Sequence, residues 1–118
     1  MAADTRKIRK VLFLCHQNRV RSATAERLFC KRPDLEVRSA GTSREAMVQV
    51  NARMLEWADV VITMDESQRI ALEQMFPRHA ALARLVCLQI PDDFTFLQPE
   101  LVALLETRVA PLVALRSD

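Results

Sequence analysis

The sequence predicts an α/β fold, a three-layer sandwich around a central four-stranded parallel sheet, and three observations carry that expectation. Short β-branched apolar runs alternate with stretches of helical spacing along the chain. The first and third of those runs are apolar on both faces, as in a sheet covered by helices on each side. The first run also ends in Cys15, and after five intervening residues an arginine and a serine open an amphipathic stretch. That order reads as strand, loop, helix.

Residues 1–9 form a polar lead-in to Lys10–Cys15, the first strand. Helical spacing of Ala25, Leu28 and Phe29 predicts a helix from Ser22 to about Arg32, stopped by Pro33. Leu35–Ala40 alternates Leu35, Val37 and Ser39 as a second strand, and Gly41, the only glycine, breaks it. Val50, Met54 and Trp57 share one stripe of a helix from about Val48 to Trp57. Asp59–Met64 is a third, buried strand, and Asp65 caps a helix over Glu66–Phe76 that ends before Pro77. Leu85–Ile90 is the fourth strand. Pro99 suits the first position of a final helix, which Pro111 kinks or ends. Core packing is the expected home of Trp57 and Phe96.

At 118 residues the chain predicts one domain, 1–118, with room for a core but not for two. Half the residues are apolar and 27% are charged, which is globular composition. A net charge of +2 argues against a nucleic-acid surface, so Arg6, Lys7, Arg9 and Lys10 read as a solvated cluster. Three cysteines at unrelated spacings fit neither a disulfide framework nor a zinc site, and His16 and His79 add no ligand pattern. No metal or cofactor is therefore expected. With no signal-like or membrane-spanning run, the expectation is a reduced, cytoplasmic location without a membrane partner, as a monomer or weak dimer.

The chemistry concentrates at residues 15–22. A loop lying on a helix N-terminus points backbone N–H groups into one concavity, where the helix dipole also favours an anion. A cysteine at its mouth suits phosphate chemistry with a sulfur nucleophile. Cys-x5-Arg alone is weak, because 14 arginines in 118 residues give any cysteine a chance match about 12% of the time. The bland alternative is a core cysteine beside surface arginines, and the strand before and helix after weigh against it. Cys30 and Cys87 have Glu36 and Asp93 at the equivalent spacing. Arg21 offers a planar fork for two phosphoryl oxygens, and Ser22 offers a hydroxyl to the sulfur. Asn18 suits a left-handed loop position, while His16, Gln17 and Arg19 should point outward as the rim. A leaving oxygen needs an acid at the same sheet edge, where Asp92 and Asp93 follow the fourth strand.

In order along the chain, these residues resemble the low-molecular-weight protein tyrosine phosphatases, most nearly a compact bacterial subgroup. The matching blocks are the phosphate loop 11–26 ending in Thr24-Ala-Glu26, Ser39-Ala-Gly-Thr-Ser43, Asp59–Glu66 with Met64-Asp-Glu, and Pro91-Asp-Asp-Phe94. The resemblance implies Cys15 as nucleophile, Arg21 as the phosphate clasp, and Asn18, Ser22 and Ser43 as a hydrogen-bond network bracing the loop. It implies Asp92 as the acid, with Asp93 as the alternative, standing where the family has proline. Gln17 replaces a glycine, Ala23 a proline and Val20 a frequent second cysteine. The segment 44–58 is short and the chain has no tyrosine, so the family's aromatic wall is missing.

Taken together, these features predict a phosphomonoesterase, a protein tyrosine phosphatase that hydrolyses aryl phosphates through a cysteinyl-phosphate intermediate. Its partner would be a phosphotyrosine-containing protein or a small aryl phosphate. Two alternatives stand beside it: a phosphate- or phosphopeptide-binding module with little turnover, and a thiol-dependent arsenate reductase, which needs resolving cysteines near the pocket. Because Val20 supplies no neighbouring thiol, oxidised Cys15 should pass beyond the sulfenic acid to irreversible forms. Peroxide inactivation should therefore resist dithiothreitol; full recovery of activity would contradict this.

Overall fold

The computed structural model describes residues 8–113. Arg6 and Lys7 of the polar lead-in, and the tail after Val113, lie outside the described residues. The elements run β1 (Lys10–Cys15), α1 (Arg21–Phe29), β2 (Glu36–Gly41), α2 (Ala52–Trp57), β3 (Val60–Thr63), α3 (Glu66–Met75), α4 (Pro77–Leu82), β4 (Leu85–Cys87) and α5 (Pro99–Val113). The four strands are parallel, in the order β2-β1-β3-β4. This is the expected α/β sandwich.

Alternate residues of β1 feed opposite layers, as the pleat requires. Val11 and Phe13 pack with Ala25 and Phe29 of α1 and with Leu101, Leu105 and Val109 of α5. Leu12 and Leu14 pack on the other face with Leu55, Leu72 and Ala80 from α2, α3 and α4. Phe13 and Phe29 stack with ring centroids 5.9 Å apart. With β1 central and covered on both sides, Cys15 arrives at the carboxyl edge of the sheet on a buried interior strand. Ligands of parallel sheets bind at that edge.

Several boundaries differ from the sequence expectation, each for a tertiary reason. The second helix starts at Ala52 rather than Val48, because residues 48–50 run alongside the end of β2. There Gly41 N–H donates to Val48 O at 2.8 Å and Val50 N–H donates to Gly41 O at 2.9 Å. Asn51 then caps the helix, accepting from Met54 N–H at 2.9 Å. The helix after Asp65 ends before Pro77 as expected, and Pro77 occupies the first turn of a further short helix, α4, where its missing N–H costs nothing. β4 stops at Cys87 instead of Ile90, since Gln89 turns into the left-handed region with φ 60°. Pro111 lies inside α5, which continues to Val113. Trp57 is half-buried under the Arg38 guanidinium, 4.2 Å from the ring centroid, whereas Phe96 is an exposed side chain rather than a core one.

Gly41 does not break its strand either; it is the last residue of β2 and pairs with Cys15. Its value is space. A Cβ there would stand 2.5 Å from His16 O and 2.7 Å from Ala46 Cβ. Both neighbours are held by backbone bonds, so the clash has no cheap escape. Gly41→Ala should lose about 1–3 kcal/mol of stability, the usual cost of overpacking, in urea unfolding. An alanine variant as stable as the parent would refute this role.

Candidate active site

The loop between β1 and α1 is shaped from outside by the segment that follows β2. Three successive carbonyls, of Cys15, His16 and Gln17, accept from the amides of Thr42 (3.1 Å), Ser43 (2.9 Å) and Met47 (3.0 Å). In a planar trans peptide the N–H opposes the C=O, so the amides of His16, Gln17 and Asn18 face the other way, into the loop. The Asn18 amide confirms the direction by donating to Cys15 Sγ at 3.3 Å. An inward ring of amides above a sulfur is the nest that the loop length predicted.

Asn18 makes the turn that allows this. Its φ is 59°, a left-handed conformation that asparagine tolerates better than most residues. Its buried side chain donates from Nδ2 to Ser22 Oγ and to Ser39 Oγ, each at 2.9 Å. Ser39 in turn donates to the Glu26 carboxylate on α1. Ser22 Oγ lies 3.0 Å from Cys15 Sγ. That oxygen already accepts from Asn18, so its single proton is shared between two acceptors, the sulfur and Ala40 O at 3.3 Å.

Ser43 reaches the loop by a different route from Asn18 and Ser22: its amide donates to His16 O, while its hydroxyl accepts from Glu45 N–H at 3.0 Å in a local turn. Ser39 supplies the second hydroxyl to Asn18, since a residue on β2 points into the sheet–helix layer while Ser43 lies beyond the strand. Ser39 and Glu26 were missed as functional residues. The available signal was a serine at a buried strand position with a carboxylate on the adjacent helix.

Arg21 is buried, at 2% exposure, and its guanidinium is divided between two tasks. Nη1 donates to Asp65 Oδ2 at 2.7 Å and to Ile90 O at 2.8 Å. Nε is buried without a hydrogen-bond partner, and its nearest carboxylate oxygen is Asp92 Oδ1 at 3.5 Å. That contact is an ion pair without a hydrogen bond; a buried donor on a cation is costly to leave without one, and an oxyanion would supply it. Asp65 is more than the helix cap it was expected to be. Burial raises its proton affinity, yet hydrogen bonds from Arg21 and Ser67 outweigh burial and hold it at about 2. A permanent anion thus fixes the back of the fork.

Cys15, His16, Gln17, Arg19, Val20, Arg21 and Asp92 line one hollow of about 50 Å³. His16, Gln17 and Arg19 are exposed, as expected of rim residues, and Val20 is half-buried. Asp92 and Asp93 are both exposed, but only Asp92 is part of the hollow. A larger cavity, about 880 Å³, opens at the opposite edge between Arg9, Asp59 and Arg84. It contains no cysteine, and its histidine, His79, is already paired with Glu56 at 2.7 Å. The chemistry therefore belongs to the smaller hollow. Of the other thiols, Cys30 ends α1 and Cys87 ends β4. Two strand spacings, about 10 Å, separate Cys87 from β1, beyond the roughly 7 Å that a disulfide spans.

The sequence matches no family model and no curated protein. Solved structures do match the fold. The tyrosine phosphatase Wzb from Escherichia coli K30, in complex with phosphate, is 17% identical, covers 90% of this chain and 96% of its own, and gives a TM-score of 0.75. SP-PTP, a low molecular weight protein tyrosine phosphatase from Streptococcus pyogenes, is also 17% identical, with 93% and 95% covered and a TM-score of 0.76. The YwlE arginine phosphatase from Geobacillus stearothermophilus is 22% identical, with 89% and 92% covered and a TM-score of 0.69. The fold is that of the low-molecular-weight tyrosine phosphatases.

Asp65 has a measurable signature in stability. Its carboxyl titrates at about 2 in the fold against an ordinary 3.8, so it stabilises fully above about pH 4 and loses that contribution as pH falls through 2. Asp65→Asn keeps a competent cap and removes the charge. In urea unfolding the gap between parent and variant should narrow from pH 5 to pH 2.5. A gap independent of pH would show that the Arg21–Asp65 pair does not stabilise the fold.

Proposed function

We propose that this protein is a metal-independent phosphomonoesterase acting on aryl phosphates, phosphotyrosine in a protein or a small aryl ester, through a cysteinyl-phosphate intermediate. The observation that carries the reading is the buried Arg21 side chain lining the same hollow as Cys15, its Nε without a hydrogen bond and 3.5 Å from Asp92 Oδ1. The similar solved structures support phosphatase chemistry on this fold.

In this reading the phosphoryl group enters the hollow with its oxygens on the inward amides and on the Nε edge of Arg21. Spreading the transition-state charge over fixed donors lowers the barrier without reorganisation. Cys15 attacks as thiolate, forming an S–P bond as the P–O bond to the aryl group breaks. Asp92 gives its proton to the departing oxygen. The Ser22 hydroxyl then donates to the sulfur, making it a better leaving group. Asp92, now a carboxylate, takes a proton from the water that attacks phosphorus, and the S–P bond breaks to release phosphate. Loop support comes from Asn18, Ser39 and Glu26. The reaction needs a reduced thiol, which fits a cytoplasmic setting.

Arsenate reduction is not favoured, because neither Cys30 nor Cys87 stands where it can resolve an oxidised Cys15. A binding module without turnover would not need Asp92 on the hollow. The arginine phosphatase among the similar structures makes phosphoarginine the competing substrate class.

Hydrolysis of p-nitrophenyl phosphate tests the assignment. Cys15→Ser should be inactive, and Asp92→Asn should lose on the order of 10²–10⁴-fold, far more than Asp93→Asn. The reverse order of the two aspartates would move the acid to Asp93. Activity that survives Cys15→Ser would end the mechanism. Faster turnover of phosphoarginine than of phosphotyrosine peptides would change the substrate class and leave the mechanism standing.

A further inference from the structure

The segment after β4 carries Asp92 to the rim, and one helix grips that segment from outside the site. Gln89, at φ 60°, is in the left-handed region without being glycine or asparagine. Its turn ends the β4 ladder and swings the chain across the carboxyl edge of the sheet. Such a conformation persists only where the surroundings fix it. Here the fixing group is a cation. Arg108 Nη1, from α5, donates to Leu88 O at 2.9 Å and to Gln89 O at 2.8 Å. Just past the turn, Ile90 N–H donates to Met64 O at 2.7 Å, and Ile90 O accepts from Arg21 at 2.8 Å. Asp92 follows two residues later. The packing of α5 does not require an arginine at this position, because its buried stripe is Leu101, Leu105, Val109 and Val113.

We propose that Arg108 is a positioning residue for the acid: by holding the Leu88 and Gln89 carbonyls it sets where the Asp92 carboxyl stands over the leaving oxygen. It does not line the hollow itself. The proposal rests on the reading of Asp92 as general acid. Proton transfer is sensitive to placement, so loosening this turn weakens the acid without touching the phosphate site. Because a single nitrogen makes both contacts, a lysine ammonium can replace it.

Leaving-group dependence separates positioning from general damage. A phenolate leaving group needs protonation, whereas 2,4-dinitrophenolate departs without it. On phenyl phosphate, Arg108→Met should lose about tenfold in kcat/KM, a fraction of the full acid effect. On 2,4-dinitrophenyl phosphate it should stay within about twofold. Arg108→Lys should restore phenyl phosphate hydrolysis. Arg108→Met added to Asp92→Asn should cost nothing further, since residues acting through one group are not additive. Equal losses on both esters, or no loss on either, would overturn the proposal while Asp92→Asn keeps its leaving-group signature. If Asp92→Asn lacks that signature, the acid assignment falls and the proposal falls with it.

Discussion

The left-handed backbone of Asn18 closes the loop over Cys15, and the rest of the site is arranged to keep it there. The conformation is tolerable for asparagine but not free, at about 1–2 kcal/mol for a typical L-residue. Two serine hydroxyls on its side chain and the sulfur on its amide offset that cost. In the proposed reaction each contact has a second use. Ser22 reaches the sulfur, Ser39 ties the loop to α1 through Glu26, and the amide faces where an oxyanion would sit. Gly41 belongs to the same constraint, because only a residue without Cβ lets β2 pass so close beneath.

Arg21 supplies the opposite half of the balance. A guanidinium buried to 2% exposure needs compensation, and Asp65 provides it from behind while capping α3. Asp65 is held ionised by that contact, so the cation keeps its counter-charge at any ordinary pH. The buried Nε then lies on the Asp92 side, without a hydrogen bond and with the fork already oriented. Orientation achieved in the fold is not paid again when substrate binds. The same guanidinium holds Ile90 O, so the proposed anion site and the segment carrying Asp92 share one anchor.

Much of this was legible in the chain, and the parts that were not share a cause. Local signals placed β1, the loop, the first helix, the Asp65 cap and the start of α5, because capping and apolar spacing act within a few residues. What local signals could not convey was pairing across the sheet. Residues 48–50 carry a helical apolar pattern but are claimed by the backbone of Gly41. Leu85–Ile90 looks like one strand, but the Gln89 turn divides it, and the arginine that holds that turn lies 19 residues further on. The Ser39 hydroxyl rather than that of Ser43 meets Asn18 for the same reason: a strand position fixes side-chain direction in a way that sequence distance does not.

The central claim is that an anion sits over Cys15, held by inward amides and the open edge of Arg21. Alkylation by iodoacetamide, read peptide by peptide in a mass spectrometer, tests it directly. Inorganic phosphate should slow modification of Cys15 while leaving the exposed Cys30 unaffected. Equal rates at Cys15 with and without phosphate would contradict the account.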